Sequence, residues 1–220
     1  MTDEKKFAAG RIVELVCPEC STELIGLPVD RVFICGKCGT ATDFWESPPG
    51  ITKCQFVKNN SPQNDFVVYL PAFVYGLSVN VSAVDEEVED KARSAIPERL
   101  WVFGCIFQRP RVHGDFNIEI TCLNPEYDLS GKPATVYGCQ LRRVHAEGLV
   151  IPLTESVIDR AQDITNVQID VAVNSWELHA LPFTLNDTHL VCKEVNLSIS
   201  RSALVINPWI NKLRYDEYLV

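Results

Sequence analysis

Two closely spaced pairs of cysteines near the start of the chain constrain its fold most strongly. The pairs are Cys17 with Cys20 and Cys35 with Cys38, and fourteen residues separate them. A Cys-x-x-Cys turn directs two sulfurs to one point, and two such turns can surround a single tetrahedral Zn²⁺ at Zn–S distances of about 2.3 Å. Because four thiolates leave no open coordination position, the spacing predicts a structural rather than a catalytic metal. The same four ligands would also hold iron, and four free thiols or two disulfides are further alternatives.

The segment between the two pairs predicts a β-hairpin. Residues 23–25 and 31–34 have the composition of short strands, and the glycine, proline and aspartate between them are typical of a turn. Gly36 and Gly39 accompany the second pair. Since glycine accepts positive φ, we expect both to let the backbone curl so that its amides face the sulfurs.

The four cysteines and these two glycines resemble a zinc ribbon, a motif found in basal transcription factors, RNA polymerase subunits and many bacterial proteins. The resemblance covers roughly residues 11–46. It implies a zinc site, but zinc ribbons bind DNA, RNA and protein alike, so it implies no single function.

The rest of the chain resembles a group of bacterial proteins of unassigned function that join an N-terminal zinc ribbon to a β-rich domain. The matching stretches are two Leu-Pro corners, at residues 69–73 and 181–184, and the late segment 197–204. The resemblance implies an architecture and no activity.

The composition is that of a globular protein that does not favour nucleic acid. Of 220 residues, 46% are hydrophobic and 22% charged, and the formal net charge of −9 repels phosphate backbones unless a local basic patch overrides it. The charged N-terminus has no apolar signal segment, so we expect a cytoplasmic protein with reduced thiols. Five cysteines lie outside the pairs and are interpreted as small, mostly buried hydrophobic residues: Cys54, Cys105, Cys122, Cys139 and Cys192.

A proline- and glycine-rich break at residues 47–50 and a polar stretch at 59–65 divide the chain into three predicted parts. These are a zinc ribbon at residues 1–47, a linker at 48–65, and a β-rich domain at 66–220 with a docking C-terminal tail. Residues 66–84 carry no charge and are long enough for a membrane helix. Their proline, glycine and alternating polar residues instead favour two strands that meet at a Leu-Pro corner.

The remaining pattern predicts a mainly β (α+β) fold with a mostly antiparallel sheet and about two helices. Alternating apolar and polar residues predict half-buried strands at 115–122, 165–173 and 194–200, and the apolar run 100–107 predicts a central strand. Helices are predicted at 84–96 and 154–164, the second with Thr154 as its N-cap. A third proline corner, at 150–153, suggests a weak internal repeat.

No catalytic residue is predicted. The chain has no phosphate-binding glycine loop, no nucleophile elbow and no His-Glu-x-x-His motif, and its four histidines are isolated. Two basic clusters stand out against the acidic background and form a possible docking patch for an acidic partner or nucleic acid, or else solvated strand ends: Arg109, Arg111, Arg142 and Arg143. Large apolar residues near the C-terminus form a possible interface tail: Trp209, Ile210, Leu213, Tyr215 and Tyr218.

The sequence therefore favours a non-enzymatic zinc-binding interaction protein, a subunit, scaffold or adaptor in a larger cytoplasmic protein assembly, with no transmembrane segment. The alternative is a nucleic-acid-binding or transcription-associated zinc-ribbon protein. A third hypothesis is an enzyme whose site forms only in three dimensions.

Overall fold

The computed structural model describes residues 15–61, 66–134, 136–161 and 163–205. Within these ranges the chain forms eight strands and four α-helices, so the predicted mainly β, mixed fold class is confirmed. The strands are β1 (Val32–Ile34), β2 (Thr40–Asp43), β3 (Gly50–Phe56), β4 (Val67–Ala83), β5 (Arg99–Phe103), β6 (Val167–Leu185), β7 (His189–Cys192) and β8 (Leu197–Ser200). The helices are α1 (Glu86–Ser94), α2 (Pro110–Leu123), α3 (Arg143–Glu147) and α4 (Val150–Ala161).

The eight strands form one sheet in the order β1-β2-β3-β6-β4-β5, with β7 paired to β6 and β8 to β7. All neighbours are antiparallel except β3 and β6, which are parallel. The long pair β4–β6 is the centre of the sheet, and its side chains contribute to separate hydrophobic clusters on the two faces. Leu70 and Phe183 belong to one cluster, and Phe73 and Leu178 belong to the other.

The uncharged stretch 66–84 contains one continuous strand, β4, so the prediction of two strands meeting at a corner is wrong. The two Leu-Pro corners lie side by side instead, because Leu70 of β4 pairs with Leu181 of β6. The third corner, at residues 150–153, forms the first turn of α4. The suggested repeat therefore does not extend to three equivalent corners.

Pro71 fits inside β4 because its missing N–H is not needed there. Pro71 lies opposite Ala180 of β6. The Ala180 carbonyl points away from β4 and accepts a hydrogen bond from the Val57 N–H on the other side of β6. The two residues therefore form a non-hydrogen-bonded pair of the antiparallel ladder. Toward β5, the Gly104 N–H donates to the Pro71 carbonyl at 2.8 Å, while the Gly104 carbonyl accepts from the N–H of Gln140. The proline thus interrupts no hydrogen bond of the sheet.

Residues 115–122 were predicted as a strand, but they lie inside helix α2, so this prediction is wrong. The buried Phe116 and Ile120 are four residues apart and share one helix face. Their polar neighbours Asn117 and Thr121 are also buried, because their side-chain oxygens accept hydrogen bonds at 3.0 Å from backbone N–H groups of β5. Strand β5, predicted as central, is the end strand of the sheet, and α2 covers its free edge.

The two predicted helices exist with shifted boundaries. Asp85 caps α1, accepting hydrogen bonds from two backbone N–H groups, whereas Val84, predicted on the inward face, is fully exposed. Thr154, predicted as the N-cap of the second helix, lies inside α4, and its buried hydroxyl donates to the Val150 carbonyl at 2.8 Å. As predicted, Ile158 of α4 faces the core.

The stretch predicted as a linker contains strand β3. Residues 50–53 pair with β2 of the ribbon, and residues 54–56 pair with β6 of the β-rich part. The division of the chain into separate domains stays a prediction, but ribbon and sheet share this strand.

Candidate metal centre

Four cysteine sulfurs converge near the N-terminal end of the described chain, as the sequence predicts. The sulfurs of Cys17, Cys20, Cys35 and Cys38 all lie within 4.8 Å of one another. Cross-pairs approach to 3.5 Å, between Cys17 and Cys38, and to 3.6 Å, between Cys20 and Cys35. A metal at about 2.3 Å from four tetrahedral sulfurs places them about 3.8 Å apart. The arrangement therefore fits one metal ion, and it is too wide for disulfide bonds of about 2.05 Å.

Each cysteine pair lies in a turn with the same backbone hydrogen bonds. In the first turn the Cys17 N–H donates to the Thr22 carbonyl at 2.8 Å and the Ser21 N–H donates to the Cys17 carbonyl at 2.9 Å. In the second turn, Cys35 donates to Thr40 and Gly39 donates to Cys35, both at 2.8 Å. These turns are local structures, so the four-cysteine spacing sufficed to predict them.

The residue after each turn adopts a left-handed conformation. Gly39 has φ of 74°, as predicted, but Ser21 takes the equivalent position in the first turn with φ of 55°. Gly36, predicted to need positive φ, does not have it. The backbone N–H groups of Lys37 and Cys38 nevertheless face the Cys35 sulfur and donate to it, as expected.

Two threonines complete the centre and were missed by the sequence reasoning. The Thr22 hydroxyl lies 3.2 Å from the Cys20 sulfur, and the Thr40 hydroxyl lies 3.2 Å from the Cys38 sulfur. Each hydroxyl can donate to its sulfur once the sulfur is a thiolate. The signal was present in the sequence, since a threonine follows the second cysteine of each pair by two residues.

The four sulfurs differ in their surroundings. The hydrogen bonds of Thr22 lower the pKa of Cys20 to about 6, which favours the thiolate that a metal needs. Burial raises the pKa of Cys35 to about 11, and only a cation would hold this buried sulfur as a thiolate at neutral pH. The donor set is thus suited to a bound cation rather than to four independent thiols.

The predicted hairpin between the two cysteine pairs is not formed. Strand β1 pairs with β2, across the second cysteine turn, and Glu23 forms an isolated bridge with Val16, across the first turn. Each cysteine pair therefore sits at the tip of its own short hairpin, and residues 24–31 connect the two. Of the two predicted strands, only the second is formed, as β1, and its partner β2 lies outside the predicted hairpin.

The ribbon is attached to the rest of the molecule by close backbone contacts. The N–H groups of Arg31 and Val32 donate to the Cys139 carbonyl at 2.7 and 3.0 Å, and the Cys139 N–H donates back to Val32 at 2.8 Å. The adjacent Asp30 is only 4% exposed, and its carboxylate accepts from the N–H groups of Leu27 and Gly138. Burial raises the pKa of Asp30 to about 6.

The four arginines of the possible docking patch occupy two helix starts. Arg142 pairs with Asp43 of the ribbon at 2.7 Å and with Glu46 at 3.6 Å, so it joins the ribbon to α3. Arg143 pairs with Glu147 at 2.9 Å, and Arg111 lies 3.9 Å from Asp115 in α2, where Arg109 is the exposed N-cap residue. Three of the four charges thus have carboxylate partners within the chain, and their role in docking stays a prediction.

The residues of the possible interface tail lie outside the described part of the chain: Trp209, Ile210, Leu213, Tyr215 and Tyr218. Of the five scattered cysteines, Cys122 is exposed and the other four are buried, and all nine cysteines are free. Burial raises the pKa of Cys54, Cys105, Cys139 and Cys192. These four therefore behave as the small hydrophobic residues that the sequence predicted.

A buried histidine lies away from the cysteines. His179 of β6 is 2% exposed, with Nδ1 at 2.9 Å from the Tyr127 hydroxyl and Nε2 at 2.8 Å from the Glu177 carboxylate. Burial lowers its pKa despite the opposing effect of Glu177, so the ring is neutral at pH 7. The sequence analysis treated the four histidines as isolated, whereas the structure pairs this one with Tyr127 and Glu177.

Comparison of the chain with models of known protein families, with curated proteins and with solved structures gives no match. The resemblance to a bacterial family accordingly stays a prediction, and the assignment of a metal centre depends on the four sulfurs alone. None of the helices in the described ranges has both the length and the apolar character needed to cross a membrane.

Proposed function

We propose that this protein is a non-enzymatic, zinc-stabilised interaction protein, acting as a subunit, scaffold or adaptor in a larger cytoplasmic protein assembly. The observation that carries the proposal is the convergence of four cysteine sulfurs within 4.8 Å. Zinc suits this donor set because soft thiolates in tetrahedral array favour Zn²⁺.

The four-sulfur arrangement supports a structural role for the ion. Each sulfur fills one tetrahedral position, so a bound Zn²⁺ keeps no position for a substrate or a reactive water. The ion would instead fix the two cysteine turns, whose own hydrophobic cluster contains only three buried residues: Cys17, Leu24 and Cys35. Binding of a structural Zn²⁺ contributes about 10 kcal/mol or more, far beyond what so small a cluster supplies.

A protein partner is favoured over nucleic acid by the charge of the molecule. The net charge is −9, and three of the four clustered arginines are matched by carboxylates. A phosphate backbone would therefore meet few free cations on these helices. The cytoplasmic location is supported by nine free cysteines, since secreted chains of this size use cysteines in disulfides.

Elemental analysis of protein purified without added metal tests the metal. We expect one zinc per chain, and loss of the zinc in Cys35→Ser. The matched control is Cys122→Ser, which removes an exposed cysteine outside the cluster and should keep the full zinc content. Iron in place of zinc, or no stoichiometric metal, would contradict the assignment.

A native pull-down with mass spectrometry tests the interaction role. We expect a defined protein partner that is lost when zinc is stripped and regained when zinc is returned. A monodisperse monomer that captures no protein under native conditions would refute the role, whatever its metal content.

A further inference from the structure

A split in the sheet lies where the ribbon joins the β-rich part. Strands β3 and β6 run parallel but pair over only three positions, from Cys54 with Leu178 to Phe56 with Ala180. If this register continued, residues 50–53 would lie opposite residues 174–177. Instead β3 stays paired with β2 and β6 stays paired with β4, so among the described strands each has a free edge facing the split.

A β-bulge in β6 accounts for the divergence. The register between β4 and β6 shifts between Gly76 and Leu77, where Asn174 of β6 is the extra residue. A bulge bends the strand that contains it, and here it lies at the point where β6 leaves β3. The bulge also changes which residues face inward, from Val171 and Val173 before it to Trp176 after it. The split is therefore part of the sheet's construction.

A cavity of about 120 Å³ opens into this split, and its lining combines apolar side chains with the charged residues Asp43, Glu46 and Arg143 at its rim. Phe73, Trp176 and Leu178 line it from the sheet, while Ile51 and Thr52 line it from β3. A cavity of about 150 Å³ in another protein accommodates benzene, so this one suits a single aliphatic side chain. It is too small for a nucleotide or a typical drug-sized ligand.

The charges beside the split favour a basic partner. Arg143 lines the cavity, where it lies over the Trp176 ring and pairs with Glu147. Asp43 and Glu46, which also line the cavity, are paired with Arg142. On the opposite face of β6, Glu177 has a side chain that is 54% exposed, and its partner His179 is neutral. Asp170 is also exposed on β6. A second copy of this chain, or a nucleic acid, would bring further negative charge to the same place.

We propose that the split between β3 and β6 binds an extended segment of a partner protein, which adds as a strand to the free edge and places one aliphatic side chain in the cavity. Basic residues of that segment alternate with the apolar ones and face Glu177 and Asp170. Strand addition supplies main-chain hydrogen bonds for affinity, while the cavity and the two carboxylates supply selectivity. This inference rests on the proposed interaction role and gives that role a place and a partner chemistry.

Defined peptides test the proposal on the full-length zinc protein. The probe is a fluorescein-labelled heptapeptide, Lys-Val-Lys-Leu-Lys-Val-Lys, measured by fluorescence anisotropy. A peptide with glutamate in place of each lysine, and one with glycine in place of leucine, should each bind about tenfold more weakly or worse. A lysine peptide with N-methylated valines, which cannot complete strand pairing, should also lose binding. Equal binding of all four peptides would overturn the proposal.

Two variants locate the site. Thr52→Arg places a long cationic side chain at the cavity and should weaken binding of the lysine peptide at least tenfold. Ile151→Arg adds the same charge at an exposed position of α4 outside the cavity, and should bind within twofold of the parent. Equal weakening by both variants would show attraction by net charge alone and would refute the site.

A measurement on the unmodified protein tests the site even if Thr52→Arg fails to fold. Binding of the lysine peptide should slow amide hydrogen exchange at residues 50–53 and 174–177, and leave α1 unchanged. Protection elsewhere would overturn the proposal, and a dimer interface at the split would instead appear as concentration-dependent protection without peptide. If the native pull-down still captures a partner through Thr52→Arg, the proposed function stands and only the split site is wrong.

Discussion

Replacing Gly138 by alanine should loosen the contact between the ribbon and the rest of the sheet. A Cβ at this position would lie 2.5 Å from the Val32 carbonyl oxygen and 2.7 Å from the Asp30 carboxylate. Neither atom can move freely, because the Val32 carbonyl accepts a hydrogen bond from Cys139 and the Asp30 carboxylate is buried. The ribbon must therefore shift away from the segment that holds it.

The cost follows from two contributions. Overpacking a close contact costs about 1–3 kcal/mol. The hydrogen bond from the Gly138 N–H to the Asp30 carboxylate is weakened as well, and hydrogen bonds to charged groups contribute about 1.5–3 kcal/mol. We expect a loss of about 2–4 kcal/mol in the free energy of unfolding, a substantial part of the 5–15 kcal/mol that is typical of native proteins.

Urea denaturation at constant zinc, followed by tryptophan fluorescence, measures this loss, and a colorimetric chelator measures the rate of zinc release. Gly138→Ala should release zinc faster than the parent. The control is Gly114→Ala inside α2, where a Cβ would meet nothing within 4 Å and alanine favours the helix. That variant should gain about 0.5–1 kcal/mol and release zinc at the parental rate.

Two results would refute this reasoning. If Gly138→Ala is as stable as the parent, the close approach at this position is not a constraint on the fold. If it is less stable but releases zinc at the parental rate, the contact stabilises the sheet without supporting the ribbon.

Three further outcomes are expected. Thr121→Val leaves a β5 backbone N–H without its acceptor and should lower the free energy of unfolding by about 1–3 kcal/mol. The control Thr154→Val loses only a hydroxyl donor inside α4 and should lower it clearly less. Equal losses in urea denaturation would contradict the edge-capping role of α2. Arg142→Met removes the ion-pair partner of the nearly buried Asp43 and should lower the free energy of unfolding by about 2 kcal/mol. A double-mutant cycle with Asp43→Asn should assign most of this loss to the coupling between the two side chains. A coupling energy near zero would contradict the role of the ion pair. Because burial lowers the pKa of His179, the unfolded chain binds the proton of this histidine first as pH falls, so the contribution of His179 to stability should decline below about pH 6.5. The difference in unfolding free energy between the parent and His179→Gln should therefore change with pH in this range, and a difference that is independent of pH would refute the reasoning.

The structure shows why sequence patterns misjudged helix α2. Asn117 and Thr121 are polar residues on either side of apolar ones, which is the pattern of a half-buried strand. They are buried because they cap the free edge of β5, a strand whose bonded residues lie 14 and 20 positions earlier in the chain. A polar side chain is predicted to be exposed only if no buried group elsewhere in the fold needs it as a hydrogen-bond partner. The sequence does not show where such a group, here a backbone N–H of β5, will lie.

The same reason explains the errors in strand pairing. The sequence pattern correctly predicted strands at residues 167–173 and 197–200. It did not show which other strands they pair with. The bulge at Asn174 could have been inferred, because the apolar positions change from odd to even numbers at this point of the sequence. The split that the bulge helps to open could not be inferred, since it depends on where β3 arrives.

By itself the sequence determined the metal centre, because each Cys-x-x-Cys turn is closed by backbone hydrogen bonds within six residues and needs no distant partner. Only the tertiary structure decided what that centre is attached to. The docking of the ribbon on Cys139 and Gly138, its ion pair with Arg142, and its continuation through β3 into the central sheet all join residues about a hundred positions apart. Contacts at such separations are set by the packing of the whole chain, and no local pattern encodes them.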